Sequence, residues 1–410
     1  MNAYSSIARS ISTLIAICFT LAFVLPLISA TNSMPFTIQE VSAIKHVKPK
    51  SSSSANPSPT QSNTLGCINY DSSTRSIMIS CNSASLTDIN NKLHDNSVLA
   101  KQTTDSTSWL LNANIIINKG SKFYINSTDT KWLKIISSSS PIIKQNVRGA
   151  SSGNSGVNSI HVFGSLNIDS VKITSWSPLT NSYVTITTSN ATIPRPYLRI
   201  EPGATGTTNI VNSEIAYLGF DTSLVGLGAG GLNYYGGDGS ILRGNNIHNL
   251  WYGPYISGVS NMIIEKNQSH HNLNYGFDPH TGSNNIIIRN NVAHDNGQEG
   301  IICSVNCFNI LFDNNRTYHN EKSGIMFSKN TYNSIARNNI IYDEISGIHI
   351  SLSHNNQIYN NTISNSVNGI DATPSSSNNN VHDNVIINCK NAILTDKSSS
   401  GNTFSYNWVK

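Results

Sequence analysis

The sequence predicts an all-β protein, a single-stranded parallel β-helix with a short N-terminal capping helix, and three observations carry that expectation. First, the C-terminal half repeats itself. Segments such as NNIIIRNNVAHDNGQEGI, FNILFDNNRTYHNEKSGI and YNSIARNNIIYDEISGI align on marker glycines Gly276, Gly300, Gly324, Gly347 and Gly369, followed by Ala392, spaced 24, 24, 23, 22 and 23 residues apart. A period near 23 fits one coil of a solenoid. Second, each repeat holds two short β-branched strands parted by turn residues, such as Ile286-Ile287-Ile288 before Asn290-Asn291, whereas a leucine-rich repeat would need a Leu-x-x-Leu-x-Leu core that is absent. Third, only 12% of the 410 residues are charged, about half the usual share of roughly 25%. That excludes a coiled coil or a charge-laced helical bundle.

The elements follow in chain order. Leu14 to Ile28 is an apolar run behind Arg9 that ends in Ile28-Ser29-Ala30, the pattern of a secretory signal peptide over residues 1–30. It is shorter than the roughly 20 residues that span a bilayer, so a retained anchor is the weaker alternative. Residues 31–64 are a Ser/Pro-rich segment too polar to bury a core, expected as a disordered linker. The β-helix domain is expected over 65–410, with the site-bearing repeats at about 241–395. In Ser85–Asn96, a helix-start residue is followed by Ile89 and Leu93 four apart, which predicts the short helix that covers the open end of the solenoid. Residues 98–240 read as less regular coils with insertions.

An exported chain favours disulfides, with Cys67 and Cys81 the preferred pair and Cys303 and Cys307 a more strained candidate. No metal site is expected from these cysteines, since no second pair at zinc spacing accompanies them. Export also makes Asn126, Asn190, Asn267, Asn315 and Asn360 glycan acceptors by motif. From Ile241 to Lys410 there are ten Lys/Arg against eleven Asp/Glu. Nucleic-acid binding driven by phosphate neutralisation is therefore not expected.

The recurrent asparagine (Asn267, Asn291, Asn315, Asn339, Asn361, Asn384) has two readings. Stacked amides at one turn form hydrogen-bonded ladders along the axis, or Asn simply tolerates a left-handed turn. The strand after each glycine orients the rest. Positions one and three are apolar or small, such as Ile301 and Cys303, and point inward. Positions two and four, such as Asp278 and His280 or His349 and Ser351, point outward and are expected to be exposed. Gly253 begins a similar strand, with Tyr255 and Ser257 outward.

On that outward face, Tyr275-Gly276-Phe277-Asp278-Pro279-His280 sets a carboxyl and an imidazole two residues apart, with a phenol at the entrance. Spacing alone is weak, because a surface Asp-x-His is more often solvated than catalytic. Pro279 inside a strand, where its missing donor is normally selected against, marks a constrained geometry.

YGFDPH, VAHDNG (Val292 to Gly297), NNRTYHNEKSGI (Asn314 to Ile325) and WYGPYISG (Trp251 to Gly258) together resemble mannuronan C5-epimerases, right-handed parallel β-helix enzymes that remodel alginate. The resemblance covers about Trp251 to Ile350. It implies proton removal at C5 of a mannuronate and return to the opposite face, giving guluronate. By resemblance His280 is the base, Tyr275 the opposite-face proton partner, and Asp278 contacts the substrate carboxylate or orients the base. Lys322 falls where family members carry a basic residue, so it would hold a uronate. Tyr255, Ser304 and His349, on the outward columns, are further candidate substrate contacts. The residue after the His is usually acidic and here is Thr281. Family branches carry an Arg at the position of Val305 or an Asp at that of Ser304, so charge neutralisation falls to another cation, with His248, Lys266 or Arg289 as candidates.

The expected function is thus a secreted or cell-surface isomerase acting on an acidic polysaccharide as a monomer, outside any membrane once the leader is cleaved. A polyuronate lyase acting by β-elimination, or a non-catalytic glycan-binding or envelope β-helix, remains the alternative. No cofactor is expected. Calcium serves some family branches, but no acidic nonapeptide supports it here.

Overall fold

The computed structural model describes residues 64–103, 105–137, 157–223 and 228–410. The expected signal peptide and nearly all of the linker over 31–64 lie outside the described residues. Each coil contributes one short strand to each of three long sheets of 13, 12 and 13 strands. One coil runs Tyr252–Ser257 in the first sheet, Ile263–Glu265 in the second and Gln268–His270 in the third, before Asp278–His280 re-enters the first. Neighbouring coils pair in parallel, as in Ile263 with Ile287 and Ile287 with Leu311. The architecture is a right-handed parallel β-helix.

Period-two alternation sends one side chain in two to the interior, where Ile264, Ile288, Phe312, Ile301, Ile325 and Ile348 are fully buried. The marker glycines have a packing reason. A Cβ on Gly276 would lie 2.3 Å from the carbonyl oxygen of Gly300, and one on Gly369 would lie 2.5 Å from that of Ala392. The strand that holds Ala392 is the last of its sheet, so no further carbonyl crowds its methyl group.

The two readings of asparagine fall on two adjacent residues. Asn291 donates from its backbone N–H and from Nδ2 to Oδ1 of Asn315, both at 3.0 Å, and from Nδ2 to the carbonyl of Ile264 at 2.9 Å. Asn315 repeats this toward Asn339. The left-handed conformation belongs to the residue before, Asn290, Asn314 and Asn338, at φ of 57°, 54° and 58°. A second ladder, Asn272–Asn296–Asn320, ends on Glu344, whose carboxyl oxygens accept from the N–H and Nδ2 of Asn320 at 3.0 and 2.8 Å. Burial pushes the Glu344 carboxyl up to about 8. Ladder membership overturns two of the glycan acceptors, since Asn267 and Asn315 are 2% and 1% exposed.

At the N-terminal end the helix is Leu86–Leu93, with Ser85 and Asp88 in a reciprocal capping box and Leu86 and Ile89 buried. Strands Ile68–Asp71 and Leu99–Gln102 pair antiparallel to their neighbours and form the edges of two sheets. Cys67 and Cys81 are disulfide-bonded with Cα atoms 5.1 Å apart. The Cys303–Cys307 pairing is corrected: both are free and buried. Cys303 points into the core, and the Cys307 thiol turns back to donate to the carbonyl of Ser304 at 3.3 Å. Among the described residues no helix is long and apolar enough to cross a membrane.

Replacing Asn315 by Ala orphans two buried donors of Asn291. At about 1–3 kcal/mol for each unsatisfied group, we expect a loss of about 2–6 kcal/mol, read as a lower urea midpoint. Glu344 makes a pH prediction. Its folded-state value lies above the ordinary 4.5, so its contribution is complete below that value and is lost as pH rises through about 8. Glu344→Gln should flatten the fall of the thermal midpoint between pH 5 and 9, with the remaining buried carboxyls common to both proteins.

Candidate active site

In the first sheet, register turns sequence positions into columns across the coils. Tyr255 pairs with Asp278, and Ser257 with His280; His280 pairs with Ser304. Pro279, with no N–H to give, is flanked by that one His280–Ser304 pair toward the next coil within its strand. Above this point lies a cavity of about 340 Å³ whose lining includes Asn233, Tyr235, Tyr252, Tyr255, Tyr275 and Asp278. His280 also lines it, as do Trp251 and the loop residues Asp221 and Gly228.

The outward placement of Asp278 is right, and its expected exposure is wrong. Asp278 is 1% exposed. Four tyrosines screen it, and its charge raises the phenol pKa of each of Tyr235, Tyr252, Tyr255 and Tyr275, after the larger effect of their own burial. Tyr255 is pushed up to about 12. Among the described residues, both carboxyl oxygens of Asp278 lack a hydrogen-bond partner. Burial, and then the charge of Glu299, drive the Asp278 pKa well above its ordinary value, which favours the neutral acid. Other outward residues of these columns are covered too, including Ser304 at 5% and Ser351 at 8%.

His280 is half-buried. Its Nδ1 meets the Tyr255 hydroxyl at 3.2 Å and the Thr281 hydroxyl at 2.5 Å, so Thr281 stands against the ring where the resembled family has an acid. Burial, then the positive charge of Lys329, lowers the His280 pKa. Lys329 occupies the same column as Val305. Thr281 N–H bonds to Ser304, Val305 N–H to Ser328, and Lys329 N–H to Ser351. The cation missing at Val305 is present one coil later.

The remaining expected site residues gather elsewhere. Exposed Lys322 bonds through Nζ to Oε1 of Gln298 at 2.8 Å. His349 donates from Nε2 to the carbonyl of Thr373 at 2.8 Å. Both act electrostatically on Glu299, a buried carboxyl whose Oε2 is unpartnered and whose pKa burial raises. The proposed substitutes for the missing cation are corrected. Arg289 pairs with Glu265 at 2.7 Å, His248 stands in the third sheet beside Glu214, and Lys266 is the exposed corner residue after the second-sheet strand Ile263–Glu265. All three project from faces other than the cavity's.

Sequence reasoning missed Tyr235, Tyr252, Glu299 and Lys329. Asn233 and Tyr235 are two and four residues past Gly231, so the rule used for Gly253 would have found them one coil earlier. The loop wall at Asp221 and Gly228 had no periodic signal.

A family model described as periplasmic copper-binding protein (NosD) matches residues 211–410. No curated protein matches the chain. Among solved structures, the periplasmic alginate epimerase AlgG superposes with a TM-score of 0.68 at 19% identity, covering 82% of this chain and 85% of its own. A mutant of that epimerase gives 0.67 at 19%, covering 81% and 85%. The likeness is one of fold. The mannuronan C-5 epimerase AlgE4 A-module of Azotobacter vinelandii, at 13% identity and a TM-score of 0.40 over 73% of this chain and 89% of its own, is more distant.

The cavity electrostatics carry a prediction. Removing the nearby cation in Lys329→Ala should raise the His280 pKa, whereas Lys322→Ala should leave it unchanged. Both are read from the imidazole carbon shifts across pH 4 to 8 in labelled protein.

Proposed function

We propose that the protein is a secreted polyuronate C5-epimerase acting on mannuronate residues of an acidic polysaccharide. The observation that carries this reading is Asp278, a buried carboxyl at the cavity whose oxygens have no partner among the described residues and whose pKa burial raises toward the neutral acid. Removing the proton α to a uronate carboxylate builds a second negative charge on that group. A carboxylate at this position would repel the substrate, whereas a neutral acid donates a hydrogen bond that strengthens as the enolate-like charge develops.

His280 takes the C5 proton. Its depressed pKa keeps the ring neutral, as a base requires. With Nδ1 engaged by the two hydroxyls, Nε2 is the basic nitrogen and Nδ1–H the donor. A tyrosine supplies the opposite-face proton. Tyr275 holds that role in the proposal, because Tyr255 is already hydrogen-bonded to the base. Burial and Asp278 raise the Tyr275 pKa, after burial's larger share, so the phenol stays protonated and able to give. Lys329 supplies the positive charge for a uronate carboxylate, in place of the residue absent at Val305. The tyrosine walls offer flat apolar faces to sugar rings, and Lys322 with Gln298 lies beyond them as a contact for a neighbouring sugar.

The test is incubation with polymannuronate in heavy water. Deuterium at C5 without chain cleavage is the expected outcome. Absorbance from unsaturated ends would replace the reading with a lyase, and neither change with retained binding would replace it with a binding module. His280→Ala and Asp278→Asn should each lower exchange by at least about a hundredfold while retaining the β-sheet circular dichroism.

A further inference from the structure

The third sheet carries a second concentration of chemistry that the cavity does not use. His248, His270, His294, Tyr318 and Tyr342 stand in one register column, with rings stacked 4.7 to 5.0 Å apart. The corner residue after each strand is left-handed, and its identity changes along the column. Asn249 and Asn365 flank four coils that carry His271, Asp295, His319 and Asp343 there.

There, one ligand atom from each of His271, His294 and Asp295 lies within 4.8 Å of the others. Nδ1 of His294 is 2.6 Å from Oδ2 of Asp295. Nδ1 of His319 stands 3.7 Å from the other carboxyl oxygen. The far nitrogen of His294, Nε2, lies 2.7 Å from the side-chain amide nitrogen of Gln268; with that amide turned about so that its oxygen faces the ring, Nε2–H donates to it and leaves Nδ1 for an ion, the outer contact that orients a ligating imidazole. A tetrahedral ion needs ligand atoms roughly 3.3 Å apart. His271 and Asp295 are exposed, so rotation of their side chains supplies that closure.

We propose that the His271–His294–Asp295 corner binds a first-row divalent transition ion of the copper, nickel and zinc class, with His319 positioning the carboxylate. Two imidazoles and one carboxylate beside solvent suit borderline ions and leave positions for water. Calcium and magnesium require more oxygen ligands than the corner holds.

The test is calorimetric titration of tag-free full-length protein with Cu²⁺ and, separately, Zn²⁺. The expected result is one equivalent of each ion, with copper the tighter. The double variant His271→Asn/Asp295→Asn introduces the residue that flanking coils carry at this corner, so its metal-free thermal midpoint should match the wild type. Its affinity should fall by at least about tenfold, whereas His382→Asn, in the separate His382–Asp383 pair, should change nothing. No saturable binding by the wild type, or equal binding by the double variant, would overturn the site. The readout is the ion itself, so it stands or falls apart from polyuronate turnover.

Discussion

Every coil must hand its hydrogen-bonding groups to the next at the same corner, and the buried amide ladders are the interaction that enforces this. Each ladder asparagine presents one oxygen that receives two donors from the preceding coil, and its own amide nitrogen serves both the next coil and a carbonyl behind it. A slipped coil would bury several unpaired amide groups at once, each at a cost of about 1–3 kcal/mol. Register is thereby held across sheets whose individual strands are often three residues long. Residues equivalent in sequence become neighbours in space at roughly 4.8 Å, and chemistry scattered over 23-residue intervals condenses into columns.

Burial then determines what those columns can do. The cavity is walled by tyrosines of three successive coils and by a loop that departs from the coil pattern. Removing water from around Asp278 favours its neutral form, and the same desolvation keeps the phenols protonated and the His280 ring uncharged. Burial thus biases acid, base and phenol alike toward their uncharged forms, and the proposed handling of an anionic sugar rests on that bias. The third sheet, with comparable residue types but open to solvent at its corners, holds imidazoles and carboxylates in direct contact. The same stacking rule has produced two concentrations of polar side chains of different character.

Much of this was legible beforehand because a repeat reports its own geometry. The glycine marks, the inward positions such as Ile325 and Phe327, the helix at Leu86 and the Cys67–Cys81 pair follow from local spacing and sterics. Tyr275, Asp278 and His280 were legible because they lie together on and just before one short strand, and Tyr255 because it lies one coil above. Lys322 was assigned to substrate from the resemblance and His349 from its column, yet both act on Glu299. A column specifies direction, and it leaves open how far along the axis a side chain acts.

The sequence by itself determined the coil, its period and which side chains leave the barrel, because alternation and turn chemistry act over neighbouring residues. Only the tertiary structure decided that an outward Asp278 is buried, that the charge of Lys329 acts on the base, and that Cys303 and Cys307 remain thiols. Those outcomes depend on residues tens of positions apart. Solvent exclusion, and the electrostatics that follow from it, belong to the surfaces those residues form together.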